Sequence, residues 1–203
     1  MSQFNEDYYE RGVELNISGY SNYRWIPELT IPLAFRIIEC LNLKPSETVL
    51  DYGCAKGYLV HALRLLHREA YGYDISEYAL ENCPPEVHKH LFSNIDFKTF
   101  DWVICKDVLE HVPYEAIDDV LQDILSHSKN YFIVVPLGKD GKYEVPSYDH
   151  DLTHVIKEPI EWWCDKFKQN GFTINHHSYR MKHIKENYAS WEKGNGFFIL
   201  GRD

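Results

Sequence analysis

The sequence predicts an α/β fold, a mostly parallel sheet with helices on both faces, and three observations carry that expectation. Short apolar runs alternate along the chain with stretches of helical periodicity. The segment Val49-Leu50-Asp51-Tyr52-Gly53-Cys54-Ala55-Lys56-Gly57-Tyr58 reads as a buried strand running through a glycine-rich turn into a helix. At 203 residues, 44% hydrophobic and 15% aromatic, the chain can bury one sizeable core, so residues 1–203 are expected to be a single domain.

Taken in order, residues 1–27 are polar and tyrosine-rich, which predicts a lid outside the core formed by residues 27–203. From Pro27 to Leu43, Leu33, Ala34, Ile37, Ile38 and Leu41 recur at helical spacing, and Pro45-Ser46 closes the segment. The first strand follows at Val49. Leu59, Leu63 and Leu66 share one face of the helix after Gly57, and Ala70 to Tyr73 makes a second strand ending at Asp74. Ser76 is placed to cap a short helix that Pro84-Pro85 ends, and a third strand is expected over Val87 to Phe92. Trp102 to Cys105 forms the fourth. Pro113 then opens a helix whose Ile117, Val120, Leu121, Ile124 and Leu125 fit one apolar stripe. Tyr131 to Val135 is the fifth strand, a helix from about Pro159 ends before Gly171, and Phe172 to His176 and Phe197 to Leu200 supply two more, seven in all.

Charge and cysteine usage exclude several classes. A net charge of -10 argues against a broad grip on nucleic acid or anionic membrane, because such binding rests on Lys and Arg. Five cysteines without a C-x-x-C pair point to a reducing compartment, so a cytoplasmic protein is expected. The N-terminus lacks a basic start with an apolar run, and no apolar stretch is long enough to span a bilayer.

In parallel sheets ligands sit beyond the carboxyl ends of strands, which makes the turn after Val49-Leu50 a nucleotide-type site. A dinucleotide fingerprint requires G-x-G-x-x-G, whereas this turn is D-x-G-x-A-x-G, with Ala55 at the middle position and the last glycine one residue early. That weakens a nicotinamide oxidoreductase. The turn instead resembles the first motif of the class I S-adenosylmethionine-dependent methyltransferases. Further segments extend the resemblance over roughly residues 30 to 203: Asp74 at the second strand end, Phe100-Asp101-Trp102-Val103 leading to Asp107-Val108-Leu109-Glu110-His111, and Asp149-His150-Asp151-Leu152-Thr153-His154 followed later by Gly171-Phe172. These residues look like the short, single-domain subgroup that acts on small molecules.

The resemblance implies a Rossmann-like methyltransferase fold, a seven-stranded sheet with an antiparallel last strand, and S-adenosylmethionine as cofactor with S-adenosylhomocysteine as product. Asp51, Gly53, Ala55 and Gly57 would cradle the methionine portion, with Asp51 either touching ligand or holding the turn's N–H groups. Asp74 would bind the ribose hydroxyls with Ile75 beside it, and Ile95 would contact adenine. Lys106 and Asp107 would face cofactor or substrate. His154 is the candidate general base, its alternative role being a structural hydrogen bond that pins the loop, and Tyr23, Arg24 and His150 are candidate substrate contacts. Arg24 is also a candidate partner for the cofactor's carboxylate, and Tyr8, Tyr9, Tyr20, Tyr23 and Trp25 are candidates to close over the sulfonium. His111 reads as a packed histidine. His150 and His154 with Asp149 and Asp151 have spacing that suits a metal, but no metal is expected. The acceptor implied is an oxygen of a small metabolite, such as a sugar or a surface-polysaccharide precursor, with a non-catalytic binding module as the alternative.

Overall fold

The computed structural model describes residues 3–96, 98–185 and 189–202. Strand β1 (Thr48–Tyr52) lies inside the sheet, which explains why Val49 and Leu50 are both fully buried. It pairs in parallel with β2 (Glu69–Tyr73) on one side and β4 (Trp102–Lys106) on the other. Beyond β2 lies the two-residue β3 (Leu91–Phe92). Beyond β4 come β5 (Asn130–Pro136), then β9 (Asn195–Gly201) and β8 (Thr173–Ser178), the last two antiparallel to their neighbours β5 and β9. The order is therefore β3-β2-β1-β4-β5-β9-β8. The chain leaves β1 in one direction and returns on its other side at β4, so the crevice between those two strand ends is the topological switch point.

Alternation along β5 shows how one strand feeds two cores. Tyr131, Ile133 and Val135 point to the face covered by α6 (Ile117–Ser126) and α7 (Ile160–Gln169), where they meet Leu121, Ile124, Trp163 and Phe167. Phe132 and Val134 point to the other face with Ala34 and Ile37 of α3 (Pro27–Leu41) and Val60 and Leu63 of α4 (Tyr58–Leu65). Ser76 caps the short α5 (Glu77–Glu81) by accepting from the Ala79 N–H.

Three elements depart from the expectation. The third strand is Leu91–Phe92 only, because His88–His90 form a 3₁₀ turn and Val87 is buried against the α4 side of the core. The helix expected from Pro113 begins at Ile117; residues 113–116 form a turn closed by the Ala116 N–H on the Pro113 carbonyl. Phe172 lies outside β8, which is bulged between Ile174 and His176. A hairpin of β6 (Gly138–Lys139) and β7 (Lys142–Tyr143) after β5 had no sequence signal beyond Asp140-Gly141.

The N-terminal segment is also more buried than its composition suggested. Helices α1 (Glu6–Glu10) and α2 (Gly12–Leu15) lie over the switch point, with Tyr8 and Tyr9 in a small apolar cluster beside Ala55 and Ala79. Tyrosine achieves this because its ring packs while its hydroxyl finds an acceptor: Tyr8 donates to Asp151 Oδ2 at 2.9 Å. Ser76 Oγ donates to the Phe4 carbonyl, Lys56 Nζ donates to the Tyr23 carbonyl and pairs with Glu10, and the Leu152 N–H donates to the Ile17 carbonyl.

Candidate active site

A cavity of about 710 Å³ opens at the switch point, within the range of small-ligand sites. Its floor is the turn after β1. Gly53 has φ of +81°, and a Cβ there would lie 2.4 Å from Val108 Cγ2, so glycine lets this turn and the one after β4 close together. Ala55 is also left-handed, with φ of 49°, and its N–H donates to Asp74 Oδ2 at 2.7 Å. Asp74 Oδ1 accepts from the Ser76 N–H at 2.8 Å. The second strand's carboxylate thus fixes the first strand's turn while still lining the cavity.

Asp51 stands differently. It is buried on the cavity wall, and among the described residues its carboxylate accepts no hydrogen bond, so it does not hold the turn. Desolvation pushes its pKa up to about 7, with repulsion from Asp74 adding to this and the Lys106 ammonium opposing it.

After β4, Asp107 adopts φ of 56° and its carboxylate bridges two lysines, Lys106 and Lys185, the latter at 2.7 Å. Burial disfavours its charge, but the two ammoniums outweigh that and hold its pKa well below the usual carboxylate range. Glu110, three residues on, is 1% exposed and its Oε2 has no partner among the described residues. Burial first, and then the nearby Asp107 charge, push it up to about 8. His111 follows on the cavity wall, its pKa driven down to about 4 by burial and the neighbouring His154 ring.

Tyr8, Tyr9, Tyr20 and Tyr23 form the roof, with ring centroids 5.1 Å apart for Tyr8–Tyr9 and 4.7 Å for Tyr20–Tyr23. Arg24 and the 60% exposed Ile75 stand at the cavity's edge. Of the sequence-predicted residues, the cavity brings together Asp51, Gly53, Ala55, Asp74, Ile75, Lys106, Asp107, Tyr23 and Arg24.

Other assignments require correction. Ile95 is 3% exposed within the core cluster and does not line the cavity, because the loop after β3 turns its side chain inward. Gly57 is off the wall too: a Cβ there would lie 2.7 Å from Leu91 Cδ1, so it serves packing against β3. His150 is exposed on a 3₁₀ turn, Pro146–His150, away from the cavity. Trp25 packs on Tyr58 and His61 instead of joining the roof. His154 lies behind His111, with ring centroids 4.5 Å apart, and its Nδ1 donates to the Tyr148 carbonyl at 2.9 Å. The imidazole on the wall is His111. Its place at the end of the Asp107-to-His111 segment was the available signal, but a histidine on a turn behind a strand reads equally well as packing.

The sequence model for a methyltransferase domain matches residues 28–185. The chain therefore belongs to the methyltransferase-domain family, and its sheet is that of a class I S-adenosylmethionine-dependent methyltransferase. None of the proteins with curated descriptions matches the sequence. Solved structures of similar fold include a chain from the complex between the Haloferax volcanii Trm112 methyltransferase activator and a methyltransferase, at 14% identity and TM-score 0.64 over 86% of this chain and 90% of that one. The Synechocystis PCC 6803 magnesium protoporphyrin IX methyltransferase with bound S-adenosylhomocysteine gives 17% and 0.64 over 86% and 82%. The Burkholderia thailandensis 1,6-didemethyltoxoflavin-N1-methyltransferase gives 12% and 0.60 over 84% and 76%. At such identities the likeness is one of fold.

Proposed function

We propose that this enzyme transfers the methyl group of S-adenosylmethionine to an oxygen of a small acceptor, a sugar or a polysaccharide precursor being the chemistry favoured, and that it works in the cytoplasm. The observation that carries the reading is the switch-point cavity walled by three strand-end carboxylates, Asp51, Asp74 and Asp107, with a tyrosine roof above and His111 at one side. No helix among the described residues is long and apolar enough to cross a membrane.

The residues present fit the cofactor. Asp51, a buried acceptor without a donor among the described residues, suits the ammonium of a methionine moiety, and Arg24 suits its carboxylate. Asp74 keeps two lone pairs beyond its backbone contacts, enough for a pair of ribose hydroxyls. When bound, the cofactor supplies a sulfonium-activated methyl group. The chain's work is to align the acceptor in line with that methyl and to exclude water, which the tyrosine roof of Tyr8, Tyr9, Tyr20 and Tyr23 does as a lid. His111 is neutral near pH 7 and borders the remaining space, so it receives and orients the acceptor hydroxyl, the role expected of His154.

Thermal-shift titration with S-adenosylhomocysteine and with NAD tests the cofactor: only the former should raise the melting temperature. A screen of hydroxylated small molecules with methyl-labelled donor tests the acceptor. Label on a hydroxyl supports the proposal, whereas label appearing only in RNA or protein rejects it.

A further inference from the structure

Three side chains with lone pairs able to ligate a metal meet beside the acceptor end of the cavity. Glu110, His111 and His154 each offer one ligand-capable atom, and these three atoms lie within 4.8 Å of one another. The tautomers follow from the hydrogen bonds. His154 Nδ1 faces the Tyr148 carbonyl, which can only accept, so Nδ1 carries the hydrogen. His111 Nδ1 lies 2.7 Å from Thr153 Oγ1, and the Thr153 hydroxyl donates its own proton to Asp151 Oδ1 at 2.6 Å. Oγ1 therefore accepts from His111. Among the described residues no hydrogen bond engages Nε2 of either ring, and Glu110 Oε2 is a buried oxygen without a partner. From His154 Nε2 the nearest carboxylate oxygens of Glu110 and Asp151 are 4.0 and 3.9 Å away, beyond hydrogen-bond reach. Buried acceptors left unsatisfied are costly, and one cation satisfies all three.

We propose that Glu110, His111 and His154 bind a divalent transition-metal ion at the acceptor end of the cavity. Two imidazoles with one carboxylate favour zinc, iron or cobalt over magnesium, and leave coordination positions open for a ligand. The two Nδ1 contacts are the outer hydrogen bonds that fix a ligating histidine's tautomer. Bonds of ~2.0–2.2 Å require the three groups to draw slightly closer than they stand. The residues differ from the set that sequence spacing suggested: Asp149 is paired with Lys157 at 2.6 Å, and His150 is exposed elsewhere. This deepens the proposed function and, for its catalytic meaning, rests on it: with its Nε2 on the ion, His111 would hand the acceptor hydroxyl to the ion, which would lower the hydroxyl's pKa so that its proton leaves to solvent.

The test is calorimetric titration of chelator-treated full-length protein with zinc and cobalt, with cobalt absorption spectra and S-adenosylhomocysteine binding measured alongside. One ion per chain is expected, with cobalt d–d bands and no thiolate charge-transfer band. Glu110→Gln and His111→Ala should each weaken metal binding at least ~100-fold, more than outer-shell changes cost, with cofactor affinity retained as proof of folding. Absence of stoichiometric binding by wild type, a thiolate band, or undiminished affinity in both variants overturns the site. Metal binding that persists while S-adenosylhomocysteine fails to bind overturns the proposed function and leaves the metal site standing.

Discussion

At the cofactor end of the cavity the polar groups come from strand ends and their adjoining turns, and backbone N–H groups already hold Asp74 in place. At the acceptor end they come from the turn after β4 and a loop more than forty residues later, and their side chains are unevenly satisfied: Asp107 has two lysines, while Glu110 Oε2 has no partner among the described residues. The first end resembles a nearly finished mould, in which Asp51 is kept open for the donor's ammonium. The second holds acceptor atoms in reserve for a partner. A buried group without a partner lowers stability, and its retention is expected where a ligand or ion supplies what is missing. The contrast therefore separates binding of the donor from handling of the acceptor.

The largest effect should come at the acceptor end. His111→Ala is expected to lower kcat by ~10²- to 10⁴-fold with S-adenosylhomocysteine affinity nearly unchanged, by steady-state kinetics and calorimetry. Comparable loss of cofactor affinity would erase the division between the two ends. Next comes Asp74→Ala, which removes the ribose acceptor and releases the Ala55 and Ser76 N–H groups together. Loss of two charge-assisted hydrogen bonds should weaken S-adenosylhomocysteine binding on the order of 10²-fold or more. An unchanged dissociation constant would remove the ribose assignment.

The same division governs what could be read from the sequence. The turn from Asp51 to Gly57 and the carboxylate Asp74 are local: each is set by a few consecutive residues at a strand end, so apolar runs and glycines locate them. His111 and His154 meet through tertiary structure alone, and nothing in the spacing says which of two histidines faces inward. Ile95 illustrates the limit from the other side, since an apolar residue in a polar loop is equally suited to lining a pocket or filling the core, and packing chose the core. The N-terminal tyrosines were misjudged because hydropathy counts the hydroxyl against burial, whereas Asp151 supplies a partner for Tyr8 from far along the chain.

The pH dependence of donor binding sharpens the cofactor end. Burial raises the folded-state pKa of Asp51 from its ordinary 3.8 to about 7, so the folded chain holds this proton where the unfolded chain has lost it. Its contribution to stability is full below about pH 4 and is lost as pH rises through about 7. An ammonium docked beside the carboxylate favours the charged form, so binding at pH 6 releases a proton. S-adenosylhomocysteine affinity should accordingly rise from pH 6 to 8, by up to about tenfold per unit below 7, and Asp51→Asn should flatten the profile. A wild-type profile already flat across that window would place the ammonium elsewhere.

The smallest effect asks what holds the finished mould. Ala55 sits at φ of 49°, where an L-residue with a Cβ is strained by ~1–2 kcal/mol, yet its methyl touches the tyrosine cluster. Glycine would relieve the strain, lose part of a methyl contact worth at most ~0.8 kcal/mol, and add unfolded-state entropy of ~0.5–1 kcal/mol. These nearly cancel, so Ala55→Gly should shift the thermal midpoint by no more than ~2 °C, at ~2–4 °C per kcal/mol for a chain of this size. The Asp74 carboxylate would then be what fixes the turn, because it grips the backbone N–H that both residues share. A fall well beyond that range would show instead that the Ala55 methyl, pressed against the roof, is the principal tie between the lid and the floor.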